Sequence, residues 1–313
     1  MKILVTGGLG FIGSHLVKRF INEGHSVVVI DEDVCSTNYL EELSLLNHNR
    51  LKIIEANIAH IDLGKLRGID MIYHMARPAS PEYWMHNQLY TFNTSVYGTH
   101  NVLRYAHSKK LRVLVASSSE VYGLAELEKQ TEAYTGNLNT ISQRASYGEG
   151  ARAAETLCSL YSNLGCAVRV ARIFTTYGPG MSRVDGRFIP TFMVNALRNK
   201  PLEIYGKGDQ KHALCYIDDT VELLVRLMES DLSIPVNIGN EGEIYTIREI
   251  AEKIIALTGS DSKIEAKAPP YMISGSKCPD MQMAAMMLGY EATVGIDRGF
   301  IQTMEWFKSI NLG

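Results

Sequence analysis

The chain predicts an α/β fold: a Rossmann-type doubly wound parallel sheet, then a smaller C-terminal α/β substrate-binding domain. Three observations lead there. Short β-branched apolar runs alternate with longer amphipathic stretches through the first half. The run GGLGFIG (7–13) follows the first of those strands and opens a helix. An aspartate, Asp31, ends the second strand eighteen residues beyond that loop.

The elements follow in order. KILVT (2–6), SVVVI (26–30), LKIIE (51–55), MIYHM (71–75), RVLVASS (112–118) and AVRVARI (167–173) read as strands. They are mostly apolar on both faces, as strands buried in a parallel sheet are. Helical periodicity marks 11–22, roughly 86–108 and 146–164. In the second half helices dominate, at 187–198, 217–229, 246–257, 280–288 and 296–309, with short strands LEIYG and PVNIG. Breakers crowd 177–187 and 266–280. The division is set at a nucleotide-binding domain over 1–175 and a mainly substrate-binding domain over 176–313, with some interleaving. The methionines of 281–287 have helical spacing and read as packing filler.

Composition narrows the function. The 313 residues are 46% hydrophobic and 21% charged, ordinary for a globular enzyme. A net charge of -3 offers nothing to a nucleic acid. The five cysteines, Cys35, Cys158, Cys166, Cys215 and Cys278, are odd in number and lack CxxC spacing. They read as reduced thiols of a cytoplasmic protein with no metal site. Residues 1–6 read as a strand, not a leader, and no apolar run reaches the roughly 18–20 residues of a membrane span.

In GGLGFIG, Gly7 permits the tight turn, Gly10 lets backbone N–H groups approach a pyrophosphate, and Gly13 lets helix and strand pack closely; Phe11 and Ile12 lie between. A carboxylate at Asp31 accepts hydrogen bonds from the adenosine ribose hydroxyls and repels a 2′-phosphate, so NAD is expected over NADP. Glu32 and Asp33 are neighbours able to share that role.

Several longer stretches carry a resemblance: HMARPASP (74–81), FNTSVYGTHNVL (92–103), ASSSEVYG (116–123), QRASYGEGARAAET (143–156), ARIFTTYGPGM (171–181), DGRFIP (185–190), YGKGDQ (205–210) and PVNIGN (235–240). On these the chain resembles the extended short-chain dehydrogenase/reductase superfamily, from residue 2 to about 307, and within it is most similar to UDP-glucuronate decarboxylases. The resemblance implies an NAD-dependent enzyme working through a C4 ketone on a nucleotide sugar, a UDP-sugar first. It implies that Tyr147 takes the O4 proton, that Ser118 bonds O4, and that Ser119 and Glu120 stand where acid/base residues do. It assigns Asn57, Ala76 and Asn93 to the cofactor, and Arg144, Thr175, Arg187, Tyr205, His212 and Lys277 to the substrate. It also implies a homodimer through the helices near 86–108 and 146–164, whose apolar stripes are broad. A 4-epimerase or 4,6-dehydratase shares nearly all these residues, although Glu120 argues against a simple epimerase.

The chain departs from that pattern at three positions. The lysine four residues after the tyrosine is Ala151, an arginine is His212, and an asparagine is Thr175. The lysine position shares a helix face with the tyrosine, and its ammonium favours the phenolate. A free tyrosine titrates near about 10. Arg152, at i+5, points about 140° around the helix and is no substitute. Ala151 is an engineered change or natural divergence. It keeps open a protein that binds NAD and a nucleotide sugar with little turnover. Restoring lysine is expected to raise activity.

Overall fold

The computed structural model describes residues 1–32, 39–124, 126–184, 186–268 and 275–310. Asp33, Cys35 and Asp185 lie outside the described residues. The strands are β1 (Lys2–Thr6), β2 (Ser26–Asp31), β3 (Leu51–Glu55), β4 (Met71–His74), β5 (Arg112–Ser118) and β6 (Val168–Ile173). They continue with β7 (Thr175–Tyr177), β8 (Leu202–Tyr205), β9 (Lys211–Tyr216), β10 (Pro235–Ile238), β11 (Ile244–Thr246) and β12 (Ile264–Lys267). The helices are α1 (Phe11–Asn22), α2 (Tyr39–Glu42), α3 (Pro81–His86), α4 (Gln88–Asn93), α5 (Thr99–Lys109) and α6 (Ala145–Asn163). They continue with α7 (Phe188–Leu197), α8 (Ile217–Glu229), α9 (Ile247–Thr258), α10 (Gln282–Leu288) and α11 (Ile296–Ser309).

Seven strands form one parallel sheet in the order β10-β6-β5-β4-β1-β2-β3. Chain direction across the sheet reverses between β1 and β4, which opens a crevice at their carboxyl ends. Apolar side chains such as Val5, Val29 and Leu114 pack on one face; Leu4, Ile72, Val115 and Val170 pack on the other. β3 departs from the expected two-sided burial. Being the edge strand, it leaves Lys52 and Glu55 exposed.

β10, from the second half of the sequence, pairs with β6, and α8 packs its buried Leu223, Leu224 and Leu227 nearby. Two smaller sheets, β11-β9-β7 and β12-β8, complete the structure. The helix expected at 86–108 is broken. Ser80 caps α3 by accepting from the Tyr83 N–H, with Pro81 in the first turn, and Asn87 ends it at φ -127°, ψ 52°. α4, a π-helical turn at Thr94–Gly98 and α5 follow. The early start carries Trp84 inward. Cys158, Cys166, Cys215 and Cys278 are free and buried. The filler reading of the methionines holds for buried Met281 but not for Met286 and Met287, which are 74% and 56% exposed.

Candidate active site

One cavity of about 1270 Å³ opens at the carboxyl ends of the strands. Its first wall is the glycine loop. Gly7 has φ +70°, and a Cβ there would stand 2.7 Å from the Ala76 nitrogen. A Cβ on Gly13 would stand 2.0 Å from the Gly7 carbonyl oxygen. α1 starts at Gly10 with no side-chain cap, which leaves first-turn N–H groups for an anionic ligand. The Leu9 N–H donates to Asp31 Oδ2 at 2.8 Å, and the Glu32 N–H to Oδ1 at 2.9 Å. Asp31 therefore pins the loop as well as facing the cavity. A close-approach cradle and a carboxylate at the end of β2 fit a dinucleotide.

The opposite wall begins at the end of β5. Ser118, Ser119 and Glu120 lie there, with the Ser118 Oγ accepting from the Glu120 N–H at 3.2 Å. Tyr147, in the first turn of α6, lines the same cavity and stacks on Trp84, ring centroids 6.0 Å apart. The Arg77 guanidinium lies 4.2 Å from the Tyr147 ring centroid. Its Nη1 and Nη2 are buried without a hydrogen-bond partner. Ala151 is fully buried among Val121, Tyr122 and Phe174, away from the cavity lining.

Glu120 is the electrostatic centre. Arg144 donates to both its oxygens, at 2.7 and 3.2 Å, and the Lys277 Nζ stands 3.6 Å away. Lys277 is 1% exposed and also donates to the carbonyls of Ser119 and Gly123. Burial alone would raise the Glu120 carboxyl, but Lys277 and Arg144 outweigh it and hold it at about 2. Glu120 is an anion at neutral pH.

His212 and Thr175, two of the departures, touch each other: Thr175 Oγ1 and His212 Nδ1 are 3.2 Å apart. Burial, then Lys277, pushes His212 down to about 4, so this site holds a neutral imidazole where an arginine would bring charge. Arg187 stands over the Phe11 ring, and Tyr205 is 39% exposed; both line the cavity. Phe11, Ile12, Gly10 and Ala76 line it as well. Asn57 and Asn93 do not: Asn57 Oδ1 accepts from the Ala59 N–H, and Asn93 is exposed on α4. Arg77 and Trp84 went unread in the sequence. The stretch HMARPASP contains the signal for Arg77, but nothing in it tells that this side chain reaches Tyr147.

A glycine-loop nucleotide fold with a serine and a tyrosine facing that loop across one cavity defines the class. The chain belongs to the NAD dependent epimerase/dehydratase family, whose pattern matches residues 3–239. Among its relatives, UDP-glucuronic acid decarboxylase 1 of Xenopus tropicalis is 39% identical over 311 residues, covering 98% of this chain and 72% of the relative. UDP-glucuronic acid decarboxylase 6 of Arabidopsis thaliana is 38% identical, covering 98% of this chain and 89% of its own. The structure of UDP-glucuronic acid 4-epimerase from Bacillus cereus, in complex with UDP-glucuronic acid and NAD, superposes with a TM-score of 0.89. It is 27% identical, over 99% of this chain and all of that one.

Proposed function

We propose that this chain is an NAD-dependent nucleotide-sugar enzyme that decarboxylates UDP-glucuronate through a C4 ketone. The observation that carries this reading is that Ser118, Glu120 and Tyr147 share one cavity with the glycine loop. NAD, when bound, supplies the acceptor and later the donor of the C4 hydride. The loop N–H groups hold the diphosphate, and Asp31 holds the adenosine ribose. Ser118 holds O4, and Tyr147 takes its proton as C4 loses hydride. The C4 ketone turns the sugar carboxylate into a β-keto acid. The C5–C6 bond then breaks, its electron pair passes into the ketone, carbon dioxide leaves, and C5 takes a proton from water. When C4 is reduced again, Tyr147 would return its proton to O4. Lys277 and Arg144 are cavity-lining cations beside Glu120 that would meet the sugar carboxylate.

A 4-epimerase is the second reading. The neutral His212 favours it, because the cations at that end are already shared with Glu120. Incubation with NAD and UDP-glucuronate separates the readings. Carbon dioxide with UDP-xylose supports decarboxylation; UDP-galacturonate without carbon dioxide supports epimerisation. Binding of both ligands with no product, and no change near 340 nm, leaves a binding protein.

The assembly we propose is a homodimer. Leu89, Tyr97, Leu160 and Leu164 are more than half exposed on or beside α4, the π-helical turn and α6, an apolar surface suited to a second copy. A monomer by sedimentation at micromolar concentration would contradict this. The odd cysteine count and the free buried thiols support a cytoplasmic location, which cell fractionation tests. No helix among the described residues is long and apolar enough to cross a membrane.

A further inference from the structure

We propose that Arg77 supplies, from the end of β4, the positive charge against Tyr147 that Ala151 cannot. Arg77 is thus a positioning residue for proton transfer. The inference rests on reading Tyr147 as the group that takes the sugar hydroxyl proton.

The first support is geometric. The guanidinium lies 4.2 Å from the Tyr147 ring centroid. A charge above the ring at that distance is within roughly 4–6 Å of the phenol oxygen, the range over which an opposite charge favours ionisation. The backbone that carries it is restricted, because Arg77 follows Ala76, whose backbone closes against Gly7, and precedes Pro78. The guanidinium lines the cavity beside Tyr147.

The second support is what Arg77 lacks. Its Nη1 and Nη2 are buried and make no hydrogen bond among the described residues. Burying a guanidinium without a partner is unfavourable and calls for a functional explanation. The ring face is the contact it has, and attraction to that face offsets part of the loss.

The other charged groups near Tyr147 are committed elsewhere. Lys277 is close enough for the two charges to be felt, but it is held by Glu120 and by the carbonyls of Ser119 and Gly123. Arg144 is bidentate to Glu120 and lies over Trp84. On α3, Glu82 and His86 face each other in solvent. Ala151 is packed among Val121, Tyr122 and Phe174 and brings no charge.

The test labels tyrosine Cζ with ¹³C and follows Tyr147 by NMR against pH, the signal being assigned by its loss in Tyr147→Phe. In Arg77→Met the titration midpoint rises by about one unit, and kcat/KM with UDP-glucuronate at pH 7 falls about tenfold, recovering as pH is raised. Arg77→Lys keeps the charge but loses the planar stacking, so its midpoint rises by less than that of Arg77→Met. An unmoved midpoint in folded Arg77→Met overturns the proposal. That readout needs no substrate, so it stands apart from failure of the decarboxylase reading. Should Arg77→Met not fold, Arg77→Gln decides by the same readout, and an unmoved midpoint in that folded variant overturns the proposal.

Discussion

The two walls of the cavity are built on different physics. The glycine-loop wall is a steric mould, where Gly13 closes on Gly7 within the loop, Gly7 closes on the Ala76 backbone, and neither has room for a methyl group. The facing wall is electrostatic and is assembled from distant segments, with Glu120 held by Arg144 and by Lys277. A mould fails when an atom is added. A charge cluster fails when one charge is removed or neutralised. Substitutions on the first wall should therefore be insensitive to pH, and those on the second should not.

Gly13→Ala tests the mould most severely. Its Cβ would overlap the Gly7 carbonyl oxygen, so loop and helix must part. Forcing them apart costs about 1–3 kcal/mol, so NAD binding should weaken roughly ten- to hundredfold. Calorimetric titration at two pH values checks this, and a pH-dependent loss would blur the distinction between the walls.

Glu120→Gln tests the cluster. It leaves Lys277 buried without its carboxylate, at a cost on the order of 3 kcal/mol at pH 7. The sign with pH follows from the depressed carboxyl. Its stabilisation is fully present above the ordinary value of 4.5 and drains away as pH falls towards about 2. Melting temperatures between those limits should slope in the native protein and flatten in the variant. Parallel slopes would show that Glu120 is not the titrating group.

Asp31→Ala belongs to both walls' physics, because a charge holds the loop. Losing the bond from the Leu9 N–H and the ribose acceptor should weaken NAD about tenfold and narrow its advantage over NADP. Equal affinities for both cofactors in the native protein would contradict the role given to Asp31. The smallest effect is expected at His212. Its imidazole is neutral above about 4, so His212→Gln should leave the shape of the pH–rate profile unchanged between about pH 5.5 and 8. A lost inflection in that window would show that His212 carries a proton there.

The sequence was most legible where one short segment decides the outcome. Apolar runs at 2–6, 51–55 and 112–118 coincide with β1, β3 and β5, and the helices at 11–22, 217–229 and 296–309 coincide with α1, α8 and α11. The glycine loop was legible for the same reason. In the stretch 86–108 a helical periodicity hides the stop at Asn87. β9 lacked the alternation that would have announced it: it runs from exposed Lys211 into four consecutive buried residues. In the site, residue types were readable but pairings were not. Nothing local to Lys277 shows that it meets Glu120, and nothing local to Arg77 shows that it meets Tyr147. Those contacts are decided by the sheet order and by the segment around 277, which bridges to His212 and to the Gln130 backbone.

The strand β10 sets a condition on how the molecule is made. It is the neighbour that covers the outer edge of β6, yet it is encoded long after it. On the ribosome, the chain through Ile173 emerges with that edge open, a row of unpaired backbone groups able to template another strand. The sheet that begins with the first half of the chain is therefore complete only when β10 has joined it. Synthesis order and spatial order disagree, and the nascent chain waits for Pro235–Ile238 before its main sheet is closed.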